Sequence, residues 1–110
     1  MTTTAEISST ELKSQLDNGA PLVLLETLSE AHYQRGHLPG ALLLPHTEVR
    51  ERASQVVPDK ASQIIVYCAN RACRNSHLAA GVLQALGYPH VRIFAGGKEE
   101  WREAGFAFEA

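Results

Sequence analysis

The pattern of apolar and polar residues along the chain switches repeatedly between buried strands and amphipathic helices. Four short apolar runs bounded by turn residues predict strands buried on both faces of a sheet, at residues 22–25, 41–44, 64–68 and 91–94. Helical spacing and capping signals predict helices near residues 8–18, 29–35, 47–56, 76–86 and 97–102. Apolar strands that alternate with helices predict an α/β layer fold, with a parallel sheet covered on both faces.

Individual residues sharpen some of these predictions. Ser8 and Glu11 have the spacing of a capping box at the start of the first helix. The run over residues 64–68 is uncharged and rich in β-branched residues, which makes it the clearest strand in the chain. In the last helix, Trp101 is predicted to be a core anchor, and the charged stretch over residues 98–100 is predicted to be a solvated face.

Length and charge limit the classes of partner that the chain is expected to bind. The chain has 110 residues with 10 Lys or Arg and 12 Asp or Glu, a net charge of −2, which argues against a nucleic-acid-binding surface. Its apolar runs are too short to span a bilayer, and its first residues lack the features of a secretory signal. No linker, internal repeat or low-complexity tract is present. We therefore expect residues 1–110 to form a single cytoplasmic domain with no nucleic-acid or membrane partner.

Chemistry is predicted at Cys68, because ligands of parallel sheets bind at the carboxyl ends of the strands. The loop over residues 69–75 can curl so that its N–H groups point at the sulfur, and a helix beginning near Ser76 adds its positive end. Both effects favour the thiolate, which is the nucleophilic form, and Arg71 and Arg74 add fixed positive charge. The plainer alternative is a structural cysteine, since free cysteine is commonly buried.

A thiolate held in such an anion cradle suits sulfur transfer. It attacks the outer sulfur of a small donor such as thiosulfate, releases sulfite and retains a persulfide, Cys68–S–S⁻. Cyanide or a thiol, including one on a protein, then accepts the sulfur, and no metal or organic cofactor is required. The residues expected to bind substrate are Ala69, Asn70, Arg71, Ala72, Cys73 and Arg74.

Four motifs, in the same order along the chain, resemble those of the rhodanese-like domain family. They are Leu22-Val-Leu-Leu-Glu26; Glu30-Ala-His-Tyr33 followed by Gly36-His-Leu-Pro-Gly-Ala41; Val66-Tyr67-Cys68; and Ala95-Gly96-Gly97 with Trp101 and Ala104-Gly105. The resemblance covers nearly the whole chain. It implies an α/β fold with about five mostly parallel strands flanked by helices on both faces, and a sulfurtransferase that works through Cys68.

Three departures from the family's pattern affect the predicted site. Glu26-Thr27-Leu28 stands where the family usually has Asp-x-Arg, so the arginine and any support it gave are missing. The loop after Cys68 is longer than the common form, which predicts a wider pocket and makes a bulky or protein-borne donor plausible. The loop also contains Cys73, which either attacks the Cys68 persulfide, releasing sulfide and leaving a disulfide, or is a spectator.

Other chemistries are weaker matches. Cys68 and Arg74 also fit the Cys-x5-Arg signature of phosphatases, which rhodanese-fold phosphatases and arsenate reductases share. Against this alternative, Tyr67 stands where those enzymes usually have a histidine, and the loop lacks glycine and an acidic residue. Cys68, Cys73 and His77 match no standard zinc pattern, so no metal is expected. A non-catalytic redox or binding module is a further alternative, which retention of the cysteine disfavours.

Overall fold

The computed structural model describes residues 5–110 and contains one sheet of four parallel strands. The strands are β1 (Val23–Glu26), β2 (Leu42–Leu43), β3 (Ile64–Tyr67) and β4 (Val91–Phe94). The helices are α1 (Ser9–Asp17), α2 (Glu30–Arg35), α3 (Val49–Val56), α4 (Asn75–Ala85) and α5 (Gly97–Glu103), with a 3-10 turn over His46–Glu48. In space the strands follow the order β2-β1-β3-β4, and the predicted α/β fold is confirmed.

The number of strands differs from the prediction of about five. Among residues 5–110, the fifth position, beside β4, holds an isolated parallel bridge between Glu6 and Ile93 in place of a strand. Two hydrogen bonds make this bridge: Ile7 N–H donates to the Ile93 carbonyl at 3.0 Å, and Ile93 N–H donates to the Ala5 carbonyl at 2.9 Å. The pairing ends there because α1 begins at Ser9, with the Ser8 hydroxyl accepting from Glu11 N–H at 3.1 Å.

Two apolar cores lie on opposite faces of the sheet, which explains why the strands are mostly apolar. Alternate residues of each strand point to opposite faces, so Ile64 and Val66 join one cluster while Ile65 and Tyr67 join the other. The second cluster contains Trp101, which is fully buried as predicted and donates its indole N–H to the Ala107 carbonyl at 2.9 Å. None of the helices within residues 5–110 is long and apolar enough to cross a membrane.

The register of the sheet aligns the ends of three strands. Glu26, at the end of β1, lies beside Tyr67, which ends β3 and in turn lies beside Phe94 at the end of β4. The residues that follow these three positions therefore emerge along one edge of the sheet. Cys68 is one of them, so the fold brings the chain after β1 and β4 close to this cysteine.

Candidate active site

Cys68 is almost fully buried, with 1% of its surface exposed. Its thiol donates a hydrogen bond to the carbonyl of Cys73, with 3.4 Å between sulfur and oxygen. The Ser76 hydroxyl lies 3.4 Å from the sulfur and, since the thiol hydrogen is already used, acts as a donor to it. The backbone N–H of Ser76, in the first turn of α4, acts in the same direction as the hydroxyl and lowers the pKa of the thiol. Cys68 thus lies under the start of α4, as the sequence predicted.

The protonation state of Cys68 differs from the sequence prediction. Burial raises the pKa of the Cys68 thiol above its ordinary value, and the nearby Cys73 thiol adds to the increase. The hydroxyl and N–H of Ser76 lower the pKa but do not reverse the shift. At neutral pH this arrangement therefore favours the neutral thiol, whereas the sequence led us to expect a thiolate.

The physical reason lies in how the loop folds. We expected its N–H groups to point at the sulfur, but those of Ala72 and Cys73 both donate to the Asn70 side-chain oxygen at 3.1 Å. This turn around Asn70 leaves the carbonyl of Cys73, rather than an N–H group, directed at Cys68. A carbonyl oxygen stabilises the protonated thiol and repels the thiolate, so the expected anion cradle is not formed in this conformation.

The two loop arginines also differ from a simple anion clamp. The Arg71 guanidinium lies 3.5 Å from a carboxylate oxygen of Glu6 and 3.7 Å from one of Glu100. Arg74 is exposed at the N-cap position of α4, where its carbonyl accepts the N–H of Leu78 at 3.0 Å. Both side chains remain on the surface around the loop, where a charged ligand can still reach them.

The first turn of α5 holds the start of the loop. Lys98 N–H donates to the Cys68 carbonyl at 3.0 Å, and Glu99 N–H donates to the Ala69 carbonyl at 2.9 Å. Gly97 makes this close approach possible because a Cβ there would collide with the Cys68 carbonyl oxygen and lie 2.9 Å from the Ala69 carbonyl carbon. Its φ of +61° also favours glycine. The Gly-Gly segment after β4 therefore sets the position of Cys68.

A buried ion pair lies next to this contact. Glu26 is fully buried at the end of β1, and the ammonium of Lys98, whose side chain is 12% exposed, lies 3.0 Å from its Oε2 atom. The geometry makes this contact an ion pair without a hydrogen bond, while Glu26 Oε1 accepts from the Tyr67 hydroxyl at 2.7 Å. The ammonium also donates to the His32 carbonyl at 2.8 Å. The prediction of a solvated face over residues 98–100 is therefore wrong for Lys98, whose charge offsets Glu26.

A cleft of about 500 Å³ opens between α2 and α5 and reaches the loop at Ala69 and Asn70. Its other lining residues include four side chains that carry or can carry positive charge: His32, Arg35, Lys98 and Arg102. Sequence analysis missed these four, because only the fold brings α2 and α5 together. The available signal was topological: the cleft lies where the chain leaves β1, β3 and β4.

A family model for the rhodanese-like domain matches residues 8–104 of this chain. The chain belongs to the rhodanese-like domain family. Among curated relatives, the thiosulfate sulfurtransferase PspE of Escherichia coli is 42% identical over 67 residues, which cover 61% of this chain and 62% of PspE. The match thus spans less than two thirds of that relative. A sulfurtransferase of Allochromatium vinosum is 29% identical over 96% of this chain and 94% of its own length.

Solved structures agree with this assignment. The crystal structure of the BH2092 protein of Bacillus halodurans superimposes with a TM-score of 0.90 and 25% identity, covering 97% of this chain and 77% of that one. The family and its relatives support sulfur transfer in general terms. No group of three or more His, Cys, Asp or Glu side chains between residues 5 and 110 is arranged to hold a metal ion.

Proposed function

We propose that this rhodanese-like domain is a thiosulfate sulfurtransferase that carries sulfur as a persulfide on Cys68. The observation that carries the proposal is the position of Cys68, directly after β3 and at the start of α4, with the Ser76 hydroxyl 3.4 Å from its sulfur. Donors at the start of a helix are suited to an anionic sulfur. The activity printed for PspE, thiosulfate sulfurtransferase, supports thiosulfate as a donor.

The reaction begins when the loop after Cys68 opens: the Cys73 carbonyl turns away, the sulfur becomes accessible, and the thiol loses its proton to water. The thiolate attacks the outer sulfur of thiosulfate, the sulfur–sulfur bond of the donor breaks, and sulfite leaves with the bonding electron pair. The new anion is Cys68–S–S⁻. The same turn of the loop exposes N–H groups between Ala69 and Arg74, which then bind the persulfide.

The second half-reaction passes the outer sulfur to cyanide or to a thiol, which a small molecule or a protein supplies. Attack by the acceptor on the outer sulfur regenerates the Cys68 thiolate. Arg71 and Arg74 attract anionic reactants to the loop from the surface. We propose that residues 1–110 perform this cycle as a single domain without a cofactor, in the reducing cytoplasm, where free cysteines such as Cys68 and Cys73 persist.

Intact mass spectrometry after incubation with thiosulfate tests the proposal. We expect the gain of one sulfur atom, its loss on addition of cyanide with formation of thiocyanate, and no gain in Cys68→Ser. A folded wild-type chain that gains no sulfur would contradict the proposal. Hydrolysis of an aryl phosphate without sulfur loading, abolished in Arg74→Ala, would assign the site to phosphoryl chemistry instead.

Cys73 remains a candidate resolving thiol. If its thiolate attacks the inner sulfur of the persulfide, hydrosulfide leaves and a Cys68–Cys73 disulfide forms. The wild-type chain would then lose two hydrogens relative to the reduced protein and release sulfide. In Cys73→Ser the added sulfur would instead persist. Equal persistence of the added sulfur in both proteins would identify Cys73 as a spectator.

A further inference from the structure

The turn that covers Cys68 is held together by its own hydrogen bonds. The Asn70 side-chain oxygen accepts the N–H groups of Ala72 and Cys73 at 3.1 Å, and the Asn70 carbonyl also accepts the Cys73 N–H at 3.1 Å. These bonds join residues 70–73 into one compact unit, which carries the Cys73 carbonyl over the sulfur. A reagent therefore reaches Cys68, of which 1% is exposed, when this unit moves away from it.

Arg71 lies inside this unit and ties it to two carboxylates elsewhere in the fold. Its Nη1 atom lies 3.5 Å from Glu6 Oε1, and its Nη2 atom lies 3.7 Å from Glu100 Oε1. The guanidinium thus connects the loop to the segment beside β4 and to α5. The Arg71 side chain is 67% exposed, so dissolved anions can compete with the two carboxylates for it.

Contacts other than those with Arg71 hold the two carboxylates. Glu100 Oε2 accepts the N–H of Ser9 at 3.1 Å, at the start of α1. The Glu100 carboxyl group also lies against Gly96, where a Cβ would collide with it. The backbone at Glu6 is held by the bridge beside β4. Pairing with Arg71 therefore restrains the loop, which is the partner that can move.

We propose that Glu6 and Glu100 are positioning residues for Cys68, whose ion pairs with Arg71 form a latch that keeps the loop closed until an anionic reactant competes for the guanidinium. This inference rests on the proposed function, for which it supplies the step that opens the loop. Exposed ion pairs are weak, so a substrate anion can release the latch. Arg71 then has two successive roles: it closes the resting loop and, once released, binds the anion.

Alkylation by iodoacetamide tests the latch without any sulfur transfer, since this reagent is uncharged and the closed loop shields the thiol from it. In a Cys73→Ser background, Cys68 is the one thiol that can react. We expect Glu6→Gln/Glu100→Gln and Arg71→Gln each to accelerate alkylation about threefold to fivefold at pH 8, which corresponds to roughly 0.7–1 kcal/mol.

The sign of the two effects identifies their cause. Charges that act on the thiol directly through space would change the rate in opposite directions when the carboxylates and the guanidinium are removed. A latch gives acceleration in both cases, because either change releases the loop. Opposite signs, or a change below twofold in either variant, would overturn the inference.

A control and a combined variant locate the effect at the latch. Glu11→Gln is the matched control, because it removes an exposed carboxylate that pairs with an arginine outside the loop, Arg92, at 3.2 Å. It should leave the alkylation rate within 1.5-fold, and an acceleration equal to that of Glu6→Gln/Glu100→Gln would contradict the proposal. Adding Arg71→Gln to the double variant should give no further acceleration, since the latch can be broken only once, whereas additive effects would contradict it.

Release by anions is tested with sulfate, which has the charge of thiosulfate but donates no sulfur. At constant ionic strength, the ratio of alkylation rates in sulfate and in chloride should be at least twofold higher with the latch intact than in Glu6→Gln/Glu100→Gln. General effects of sulfate on folded proteins are shared by both and cancel in this comparison. Equal ratios would show that anions do not operate the latch.

Thiosulfate loading separates this inference from the proposed function. Glu6→Gln/Glu100→Gln should gain sulfur faster than the wild-type chain, and at least threefold faster than Arg71→Gln, which lacks the guanidinium that attracts the anion. Equal loading of the two variants would overturn the second role of Arg71. If the alkylation rates follow the latch but no protein gains sulfur, the proposed function fails and the latch stands. If the wild-type chain gains sulfur but the alkylation rates do not follow, the latch fails and sulfur transfer stands.

Discussion

Glu26 ends β1 and Cys68 directly follows the neighbouring strand β3, yet the surroundings of the two side chains are opposite. Both are almost completely inaccessible to solvent. Glu26 has an ammonium 3.0 Å away and accepts a hydrogen bond from Tyr67. Cys68 faces a carbonyl oxygen, and the groups that lower its pKa are the N–H and the hydroxyl of Ser76. The sheet edge therefore holds a compensated carboxylate next to a thiol that keeps its proton.

The difference shows what each group is suited for. A buried carboxylate with a fixed counter-charge has a structural role, since removing the partner leaves an uncompensated charge that destabilises the fold. A buried thiol whose pKa is raised by burial must gain donors before it can act as a nucleophile. The first turn of α5 makes both contacts: the Lys98 ammonium pairs with Glu26, and the Lys98 N–H donates to the Cys68 carbonyl. The positions of Glu26 and Cys68 are therefore linked through this turn.

The largest expected effect follows from removing the counter-charge of Glu26. Lys98→Met should lower the free energy of unfolding by about 3–5 kcal/mol, because a buried carboxylate loses its partner. Chemical denaturation measures the change. The double variant Glu26→Gln/Lys98→Met should recover a large part of the loss, since no charge remains unpaired. Lys13→Met, which breaks the exposed pair with Asp17, is the control and should cost less than about 1 kcal/mol.

The link through α5 is tested by Gly97→Ala. The added methyl group would collide with the Cys68 carbonyl, so we expect about 1–3 kcal/mol of lost stability beyond the cost of a positive φ, and at least tenfold slower sulfur loading. Gly105→Ala is the matched control, with a φ of +81° and no atom within 4 Å of the added carbon. Equal losses in the two variants would show that the contact with the loop has no separate role.

The raised pKa of Cys68 predicts how its reactivity depends on pH. In a Cys73→Ser background, alkylation of Cys68 should accelerate about tenfold per pH unit from pH 7 to 9, as the thiolate fraction grows. The unfolded chain should reach its plateau at lower pH. Because the folded state retains the proton more tightly, this group stabilises the fold below the pKa of the unfolded thiol, and that contribution is lost as pH rises toward the folded pKa. A rate that is already level at pH 7 would mean that Cys68 is a thiolate.

The smallest effect concerns the hydroxyl that assists Cys68. Ser76→Ala removes a donor 3.4 Å from the sulfur, which should raise the pKa of Cys68 further. A hydrogen bond of about 1 kcal/mol corresponds to roughly fivefold slower alkylation at pH 8. Ser54→Ala, an exposed change on α3, serves as the control. An unchanged rate in Ser76→Ala would leave the backbone N–H as the effective donor.

Local patterns predicted most of the fold because each element carries its own signal. The last predicted strand, over residues 91–94, coincides with β4, and the capping-box residue Ser8 accepts the N–H of Glu11. The strand predicted over residues 41–44 shortens to Leu42–Leu43, where a turn precedes it and Pro45 follows. The prediction of about five strands is wrong at the position beside β4, where the pairing of Glu6 depends on tertiary contact with Ile93 and not on a local pattern.

The site was less predictable than the fold for a related reason. Cys68 and its loop are contiguous in sequence, so strand pattern and residue type were enough to find them. Lys98 was assigned to a solvated face because its sequence neighbours are acidic, whereas its actual partner, Glu26, lies on β1. The direction of the Cys73 carbonyl depends on how the Asn70 side chain uses its acceptor, which residue type alone does not determine.

Tyr67 gives the domain an optical signal of its own unfolding in alkaline solution. Its hydroxyl donates to Glu26 and accepts the N–H of Leu38 at 3.1 Å. Burial and the charge of Glu26 raise the pKa of Tyr67 far above its ordinary value of 10.0. Above that pH the unfolded chain ionises this phenol and the native chain does not, so loss of structure should appear as an increase in tyrosinate absorbance. The residue next to Cys68 thus reports, without any label, on the packing that keeps this cysteine in place.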